Sequence, residues 1–448
     1  MNPLYRNDIS GHHAPSWYAA SVPPAPDRPA LADTIRADVA ILGAGFTGLW
    51  AALTLARRGV RVVVLDAHRV GFGASGRNGG QVHSGFNKGQ DWLEARLGVD
   101  AARALWALSE AAKKNLRDFC ETHAPEAEYR SGIAHGAYSM AERDELAREA
   151  DYMARTYNHE IHVMDRSQFA ELVKSPLYRG GTLDPSGGHL HPLAYAQALA
   201  RSAEAEGAVI HECSEVTEIV RGAKATLKTA KGSVTADQVI VAGNGYLPNI
   251  LPQVNAAVMP INSFIAATEP LPQKWQEVLN QDIAVADSKF VVNYYRFSAD
   301  RRFLFGGRES YSIGFPDDIA TALVARMHRL FPQLEGVKID YVWGGALGIT
   351  PTRLPMVKRI APNIIAAGGF SGQGVALSGM AGRIMAEAIL GDGRGLETFA
   401  ALPTPRFPGG SALRAPSLAL AMPGVALRDR GLIERCGTGA TDASRSAL

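Results

Sequence analysis

A glycine-rich turn, Gly43-Ala44-Gly45-Phe46-Thr47-Gly48, constrains this chain more than any other feature of its sequence. Residues 38–42 before it have the continuous apolar character of a buried strand, and residues 46–58 after it have the apolar spacing of a helix. A second apolar run, residues 60–66, predicts the next strand. A strand, a helix and a strand in this order predict parallel pairing with a right-handed crossover.

The glycine spacing in this turn suits a dinucleotide. Gly43 permits a tight turn, Gly45 lets a pyrophosphate approach the backbone, and Gly48 allows close contact between helix and sheet. The helix N-terminus adds a dipole that favours an anion. Asp66 ends the second strand at the usual distance for a hydrogen bond to a ribose hydroxyl. The motif leaves NAD and FAD open, and a structural turn without a ligand is the remaining alternative.

The size and charge of the chain narrow its function classes. Its 448 residues exceed the usual size of one hydrophobic core and predict two domains. Lys and Arg number 46 against 44 Asp and Glu, so nothing in the charge predicts binding to nucleic acid or to an anionic membrane. Three widely spaced cysteines, Cys120, Cys213 and Cys436, predict neither a disulfide framework nor a zinc site and favour a reducing cytoplasm.

The N-terminal 36 residues are rich in proline and have no apolar core of a secretory signal, so they predict an extended arm. The longest uncharged stretch, residues 39–56, reaches the lower length limit of a transmembrane helix. Its glycines and its β-rich first half favour a strand, a turn and a helix instead. No membrane span is therefore predicted.

The remaining periodicities predict an α/β chain with a second, mostly antiparallel sheet. Helices are predicted for residues 91–123, 141–157, 165–173, 192–206, 319–331 and 374–390. Strands are predicted for residues 211–220, 225–230, 233–235, 238–243, 261–268, 290–297, 302–305, 337–342 and 363–368. Residues 180–191 are expected to form a loop, and residues 438–448 are expected to be disordered.

Two later segments favour FAD over a solitary NAD domain. Residues 213–219 and 236–244 are similar to the second nucleotide-contacting portion of FAD proteins, in which Val216 would meet the adenine through its backbone. Residues 368–374 open the final helix, whose amides and dipole can stabilise negative charge at N1 and O2 of a reduced flavin. An ordinary glycine-rich turn is the alternative interpretation of residues 368–374.

Four further runs carry a resemblance to a known family. They are Ser16-Trp17-Tyr18-Ala19-Ala20-Ser21, Gly71-Phe72-Gly73-Ala74-Ser75-Gly76-Arg77-Asn78-Gly79-Gly80-Gln81, Ser186-Gly187-Gly188-His189-Leu190-His191-Pro192-Leu193 and Phe407-Pro408-Gly409-Gly410. With them the chain resembles, over nearly its whole length, the D-amino-acid-oxidase superfamily of FAD-dependent amine oxidoreductases. The second run is the most specific, because its glycines let the chain lie along a flavin, with Arg77 able to face pyrophosphate or ring oxygens.

The resemblance implies a Rossmann-type FAD-binding domain assembled from separate segments and a substrate domain with a mixed, largely antiparallel sheet. The predicted segments are an arm at residues 1–36, the FAD-binding domain at 37–90, 184–250 and 351–400, the substrate domain at 91–183 and 251–350, and a tail at 401–448. The implied cofactor residues are Gly43, Gly45, Phe46, Thr47, Gly48, Asp66, Ala74, Ser75, Arg77, Asn78, Gly79, Gly80, Gln81, Val216, Gly243, Gly369, Ser371, Gly372, Gln373 and Gly374.

The implied reaction is hydride transfer from the carbon next to an amine nitrogen to flavin N5, with O2 or another acceptor reoxidising the flavin. No catalytic triad and no clustered metal ligands accompany it in the sequence. Gln373 stands where the superfamily often has His, so the role of that His in oxygen chemistry or amine deprotonation does not carry over to this chain. No cysteine stands near Gly345, so non-covalent FAD is expected. His83 does not match the covalent histidines of relatives. A glycine- or sarcosine-like substrate, or a flavin-binding protein without turnover, are the alternatives to an aliphatic amine.

The substrate residues are candidates only. Arg308, Tyr295, Trp343 and His191 are the candidates for contact with the substrate. An arginine suits a carboxylate and aromatic side chains suit an aliphatic amine, whereas a core aromatic residue or a surface arginine is the plainer interpretation. Tyr294 and Tyr295 face opposite sides of one strand, so at most one is expected to line the pocket. Hydrogen bonding within the structure is the alternative role of His191.

Overall fold

A computed structural model describes residues 2–289, 291–310 and 314–410, without the side chains of Arg308 and Glu309. The strands are β1 (Thr34–Leu42), β2 (Val62–Leu65), β3 (Gln81–Val82), β4 (Arg130–Ala137), β5 (His162–Met164), β6 (Gly180–His189), β7 (Val209–His211), β8 (Glu218–Val220), β9 (Ala225–Lys228), β10 (Ser233–Val241), β11 (Met259–Pro270), β12 (Ala284–Asp287), β13 (Tyr294–Phe297), β14 (Arg302–Ser310), β15 (Ile339–Ile349), β16 (Met356–Ala361) and β17 (Ile364–Gly368). The helices are α1 (Trp17–Ser21), α2 (Phe46–Ala56), α3 (Gln90–Leu97), α4 (Val99–His123), α5 (Met140–Tyr157), α6 (Arg166–Leu172), α7 (Pro192–Ala205), α8 (Pro252–Asn255), α9 (Ala320–Leu330), α10 (Gly374–Ile389) and α11 (Arg394–Ala400).

The first sheet has the order β16-β17-β10-β1-β2-β7, and β9 and β8 extend it from β10. Strand β1 pairs in parallel with both β2 and β10, and β10 pairs in parallel with β17. Helix α2 connects β1 to β2 and is buried along nearly its whole length, because α7 and α10 pack against it. This confirms the parallel strand–helix–strand unit that the glycine turn predicts.

The second sheet has the order β15-β11-β14-β13-β12-β4-β6-β3, and β5 pairs with β6. Its pairs are antiparallel except for β12 with β4, so the predicted mixed and largely antiparallel sheet is confirmed. Aromatic side chains of β13 and β14 form much of its apolar core against α9. Among the described helices, none is both long enough and apolar enough to cross a membrane.

The prediction of a loop at residues 180–191 is wrong, because residues 180–189 form strand β6. Its many glycines suggest a loop, but they allow the backbone to approach neighbouring strands closely. A Cβ on Gly181 would overlap the carbonyl oxygen of His135, and one on Gly188 would overlap that of Arg130. The pairing of β6 with β3, β4 and β5 satisfies its backbone groups.

Other predicted elements differ in extent, and the strands predicted at 233–235 and 238–243 form the single strand β10. The helix predicted at residues 91–123 is divided into α3 and α4 at Gly98, which adopts φ +87°. The strand predicted at residues 211–220 is two short strands, β7 and β8. The strand predicted from Phe290 begins at Tyr294, and both Phe290 and the predicted disordered tail lie outside the described residues.

The predicted domain boundaries stay a prediction. Strand β3 and most of β6 fall in segments predicted for the FAD-binding domain, yet both strands pair within the second sheet. Segments predicted for the FAD-binding domain therefore contribute strands to the second sheet, and these strands border the site.

We expect Gly382→Ala to destabilise the fold, because a Cβ there would overlap the carbonyl oxygen of Thr47 where α10 crosses α2. The free energy of unfolding should fall by about 1–3 kcal/mol, the usual effect of overpacking. Urea unfolding at saturating FAD measures it. Gly393→Ala is the control, since a Cβ on Gly393 meets only a side-chain oxygen of Glu397, at 3.6 Å. Equal stability of the two variants would contradict the expectation.

Candidate cofactor and substrate site

A cavity of about 690 Å³ is lined by residues of both sheets and of the loops between them. Its size is within the range of small-molecule and cofactor sites. One end lies at the carboxyl ends of β1 and β2, and the other extends under the second sheet toward α4 and α5. We call these the nucleotide end and the substrate end.

The glycine turn forms the floor of the nucleotide end. Gly43 has φ +103°, and a Cβ there would lie 2.8 Å from the carbonyl oxygen of Ala242. A Cβ on Gly45 would lie 2.8 Å from the Oγ of Ser75, and one on Gly48 would overlap the carbonyl oxygen of Gly43. The absence of side chains at these positions leaves the backbone open to a pyrophosphate at the start of α2.

Asp66 is fixed beside this turn. One carboxylate oxygen accepts a hydrogen bond from the amide of Ala44 at 2.7 Å, and the other accepts one from the amide of His68 at 2.9 Å. Burial raises the pKa of Asp66 to about 6, although both hydrogen bonds oppose this shift. Asp66, Glu215 and Val216 line the same end of the cavity, so a ribose and an adenine have partners there.

The loop from Gly71 to Gln81 lies between the two sheets. The guanidinium of Arg77 is buried and donates to the carbonyl oxygens of Phe72 at 2.6 Å and Gly344 at 3.2 Å, and to Asp8 at 2.7 Å. Its remaining nitrogen, Nη2, is buried without a hydrogen-bond partner among the described residues. Because Arg77 borders the cavity, an anionic or carbonyl oxygen of a cofactor would satisfy this donor.

The loop before α10 closes another side of the cavity. The side-chain amide of Gln373 donates to the backbone carbonyl oxygens of Ser84 at 2.9 Å and Gly85 at 3.1 Å. The side-chain amide of Asn87 donates to the backbone carbonyl oxygen of Ser371 at 3.1 Å. These bonds fasten residues 84–87 to the amino end of α10. The sequence does not single out Asn87, whose role depends on a neighbour nearly 300 positions away.

The structure brings most predicted cofactor residues to the cavity wall. Those that line it are Gly43, Gly45, Phe46, Thr47, Asp66, Ala74, Ser75, Arg77, Asn78, Gly79, Gln81, Val216, Gly243, Ser371, Gly372, Gln373 and Gly374. Gly48, Gly80 and Gly369 do not line it. Each of these three glycines lets the backbone pack closely against another residue. Gly48 packs against Gly43, Gly80 against Leu190, and Gly369 against Thr350.

The three substrate candidates whose side chains are described, Tyr295, Trp343 and His191, do not line the cavity. Tyr295 is buried in the apolar core, where its hydroxyl donates to that of Tyr178. Trp343 is buried against Tyr18, and its indole N–H donates to the carbonyl oxygen of Arg77 at 3.0 Å. His191 caps α7 by accepting from the amide of Ala194. The side chain of Arg308 lies outside the description.

Tyr294, the neighbour of Tyr295, lines the substrate end instead. A Cβ on either Gly79 or Gly306 would collide with its ring, so the ring packs between the loop of residues 71–81 and strand β14. Its hydroxyl lies 3.3 Å from the Oγ of Ser263. Successive side chains of a strand point to opposite faces of the sheet, so only one of the two tyrosines can face the pocket. The pairing of β13 within the sheet places Tyr294 on that face.

His83, which the sequence presents only as a candidate for covalent attachment of the flavin, and His135, which it does not single out, face the substrate end with ring centroids 5.5 Å apart. Burial lowers the pKa of His83 to about 3, with a smaller contribution from His135, and burial also lowers the pKa of His135. Both rings are therefore neutral at neutral pH. Neutral imidazoles can accept hydrogen bonds from an amine without repelling it.

Asp184 forms a buried polar network beside these histidines. Its carboxylate accepts from Ser84 at 2.7 Å and from Ser186 at 2.7 Å, and lies 3.2 Å from the Nε2 of His159. The ammonium of Lys113 donates to both serine hydroxyls. Burial opposes ionisation of Asp184, but the hydrogen bonds from His159 and Ser186, the charge of Lys113 and the hydrogen bond from Ser84 hold its pKa well below the usual range.

Comparison with known proteins agrees with this geometry. The FAD dependent oxidoreductase family designated DAO matches residues 38–388, so the chain belongs to that family. It is an FAD-dependent oxidoreductase. A probable oxidoreductase OrdL of Rhizobium meliloti is 39% identical over 418 residues, which are 93% of this chain and 97% of that protein. The gamma-glutamylputrescine oxidoreductase of Escherichia coli is 38% identical over 420 residues, which are 93% of this chain and 99% of that protein.

Solved structures share the fold. Glycine oxidase from Geobacillus kaustophilus matches with a TM-score of 0.66 at 21% identity, over 79% of this chain and 95% of that chain. L-proline dehydrogenase from P. horikoshii matches with a TM-score of 0.66 at 20% identity, over 80% of this chain and 94% of that chain. At these identities the likeness concerns the fold alone.

We expect Gly45→Val to abolish FAD binding, because its side chain would fill the space above the turn and press on Ser75. The ratio of flavin absorbance to protein absorbance in the purified variant measures this. Gly393→Val, a substitution at the start of α11 away from the cavity, should keep stoichiometric FAD. Stoichiometric FAD in Gly45→Val would show that residues 43–48 are not the nucleotide site.

Proposed function

We propose that this enzyme oxidises an aliphatic amine of the γ-glutamylputrescine type to an imine, which water hydrolyses to an aldehyde and an amine or ammonia. The observation that carries the proposal is the substrate end, where the neutral rings of His83 and His135 border a cavity next to the predicted flavin loop. The similarity to the gamma-glutamylputrescine oxidoreductase of Escherichia coli over 99% of its length supports the same substrate class.

FAD, when bound, supplies the hydride acceptor for this reaction. The residues of the chain select and orient the amine. The neutral imidazoles of His83 and His135 accept its N–H groups, and Tyr294 and Ser263, whose hydroxyl oxygens are 3.3 Å apart, border the same cavity. An apolar and largely desolvated pocket favours the neutral amine, whose free lone pair is required for hydride loss from the adjacent carbon.

The far end of the cavity suits the two charges of a glutamyl group. Lys88 and Glu149 both border it, and within the described part of the chain neither forms an ion pair. The ammonium of Lys88 lies 5.5 Å from the centre of the Trp92 ring. We propose that Lys88 meets the carboxylate of the substrate and Glu149 its α-ammonium, with Arg308 as the second candidate for the carboxylate.

We further propose that FAD is held without a covalent bond, that O2 is the electron acceptor and is reduced to H2O2, and that the enzyme acts in the cytoplasm. Relatives with covalently bound flavin carry a cysteine at the position near Gly345. Among the described residues that line the cavity there is no cysteine. The proposed location rests on the wide spacing of the three cysteines.

Anaerobic mixing with a panel of amines tests the proposed function. We expect γ-glutamylputrescine to bleach the flavin band much faster than putrescine, glycine or sarcosine, because only it fills both ends of the substrate pocket. Rapid bleaching by glycine or sarcosine alone would favour an amino-acid oxidase. Protein that no amine bleaches would favour a flavin-binding role without turnover.

Variants of the distal residues accompany this panel. Lys88→Met should raise KM for γ-glutamylputrescine about tenfold or more and leave putrescine nearly unchanged, because only the first substrate loses a charge-assisted hydrogen bond. Arg308→Ala is compared in the same assay. The control for Glu149→Gln is Glu171→Gln, at an exposed position of α6 outside the cavity lining. Equal losses for both substrates would contradict a recognition role.

Activity should rise with pH through the ionisation of the substrate. Aliphatic ammonium groups titrate near ~10.4, so the neutral amine increases about tenfold per pH unit below that value. The pKa of His83 is about 3 and that of His135 is lowered from its ordinary value, so neither should add an inflection between pH 7 and 9. The rate of flavin reduction at low substrate concentration measures this profile. An inflection in that range that His83→Asn removes would contradict the neutral role of His83.

A further inference from the structure

The first residues of the chain lie across the nucleotide end of the cavity. We call residues 2–11 the N-terminal strap. Leu4 borders the cavity and is 7% exposed, and it packs in one apolar cluster with Phe72, Tyr246 and Ala346, which also border the cavity. The side chain of Leu4 is therefore part of the cavity wall, although it lies before the first strand of the nucleotide-binding unit.

Glu215 holds the start of the strap. The side-chain amide of Asn2 donates to one carboxylate oxygen of Glu215 at 2.7 Å, and the hydroxyl of Tyr5 donates to the other at 2.7 Å. Glu215 borders the cavity beside Val216 and Asp66, the residues expected at the adenosine of FAD. The strap is thus fastened directly over that part of the site.

His68 holds the strap at two further points. Its Nε2 lies 2.9 Å from the carbonyl oxygen of Leu4, and its Nδ1 accepts from the amide of Gly11 at 3.1 Å. Both ring nitrogens are therefore used by the strap, with the proton on Nε2. The ring is fully buried and stacks on Phe72 with a centroid distance of 3.6 Å.

Asp8 attaches the strap through a buried ion pair. Its carboxylate lies 2.7 Å from Nη1 of Arg77, and the two side chains are 7% and 3% exposed. Arg77 belongs to the loop that borders the cavity, and removal of one partner from a buried ion pair leaves an uncompensated charge. Detachment of the strap therefore exposes Arg77 and removes the Leu4 wall together.

We infer that the N-terminal strap is part of the FAD site, where it closes the adenosine end of the cavity and sets the rate at which FAD is released. The inference rests on the proposal of non-covalent FAD but not on the identity of the substrate. Because Leu4 and the bonds to Glu215 and Arg77 lie at that end, the adenosine leaves the cavity by this route only after the strap detaches. The family match begins at residue 38, after the strap.

A reversible crosslink gives the sharpest test. A Cβ on Gly11 would lie 3.3 Å from the Sγ of the native Cys213, close to the separation that a disulfide requires. Gly11 has φ +75°, so any side chain there strains the backbone, and the strain is common to the oxidised, reduced and Gly11→Ser proteins that are compared. Gly11→Cys oxidised with diamide should release FAD at least tenfold more slowly than the same protein reduced with dithiothreitol. Rapid ultrafiltration after dilution, with absorbance of the free FAD, measures the rate, and thiol titration confirms the disulfide. Gly11→Ser, which cannot form the crosslink, should show no such difference.

Weakened straps test the inference in the opposite direction. Asp8→Asn and the double variant Asn2→Ala with Tyr5→Phe should each release FAD about tenfold faster than the unaltered protein. Asp27→Asn and Ile9→Ala are the controls, since Asp27 forms only a surface ion pair and Ile9 is 74% exposed on the strap itself. Unchanged release in the weakened variants, or equal release from the oxidised and reduced Gly11→Cys protein, would overturn the inference.

Acid precipitation of the unaltered protein precedes these measurements. Flavin in the supernatant agrees with non-covalent FAD, whereas flavin in the pellet overturns both that proposal and the strap inference. A failure of the amine panel leaves the release rates untouched, because no substrate is added in them. The two proposals therefore fail separately.

Discussion

The arrangement of the site depends on the hydrogen bonds of the buried Arg77 guanidinium. The guanidinium joins the loop after β2 to strand β15 through the carbonyl oxygen of Gly344, and it joins both to the N-terminal strap through Asp8. The indole of Trp343 returns a hydrogen bond to the backbone of Arg77 itself. These contacts hold the loop, strand β15 and the strap together at the cavity wall, and loss of Asp8 would leave the buried charge of Arg77 uncompensated.

The substrate end is built on a different physical basis. The oxygens of Asp184 are occupied by Ser84, Ser186 and His159, so this carboxylate is committed to the wall and is not available as a base. Such a satisfied network rigidifies a pocket. Next to it, the neutral rings of His83 and His135 present acceptors without charge. The pocket can therefore orient an amine while the chemistry is left to the flavin.

Part of the site could be predicted because its signal is local. The turn at residues 43–48 and the run of residues 71–81 owe their conformations to glycines a few positions apart, and most residues predicted from them line the cavity. His83, His135 and Asp184 carry no local signal. The strand that contains Asp184 looks like a loop in sequence, because its glycines serve close strand pairing and not chain flexibility.

The sequence by itself determined the parallel strand–helix–strand unit, the class of cofactor and the presence of a second, largely antiparallel sheet. Short-range periodicity and glycine spacing are sufficient for the two structural features and for a dinucleotide site, since they depend on residues within one turn or one strand. The choice of FAD over NAD came from the resemblance of later segments to FAD proteins. Only the tertiary structure decided that Tyr294 and not Tyr295 faces the cavity, and that Asp8 reaches Arg77. Such contacts depend on strand register and on pairs far apart in the chain, which no local pattern records.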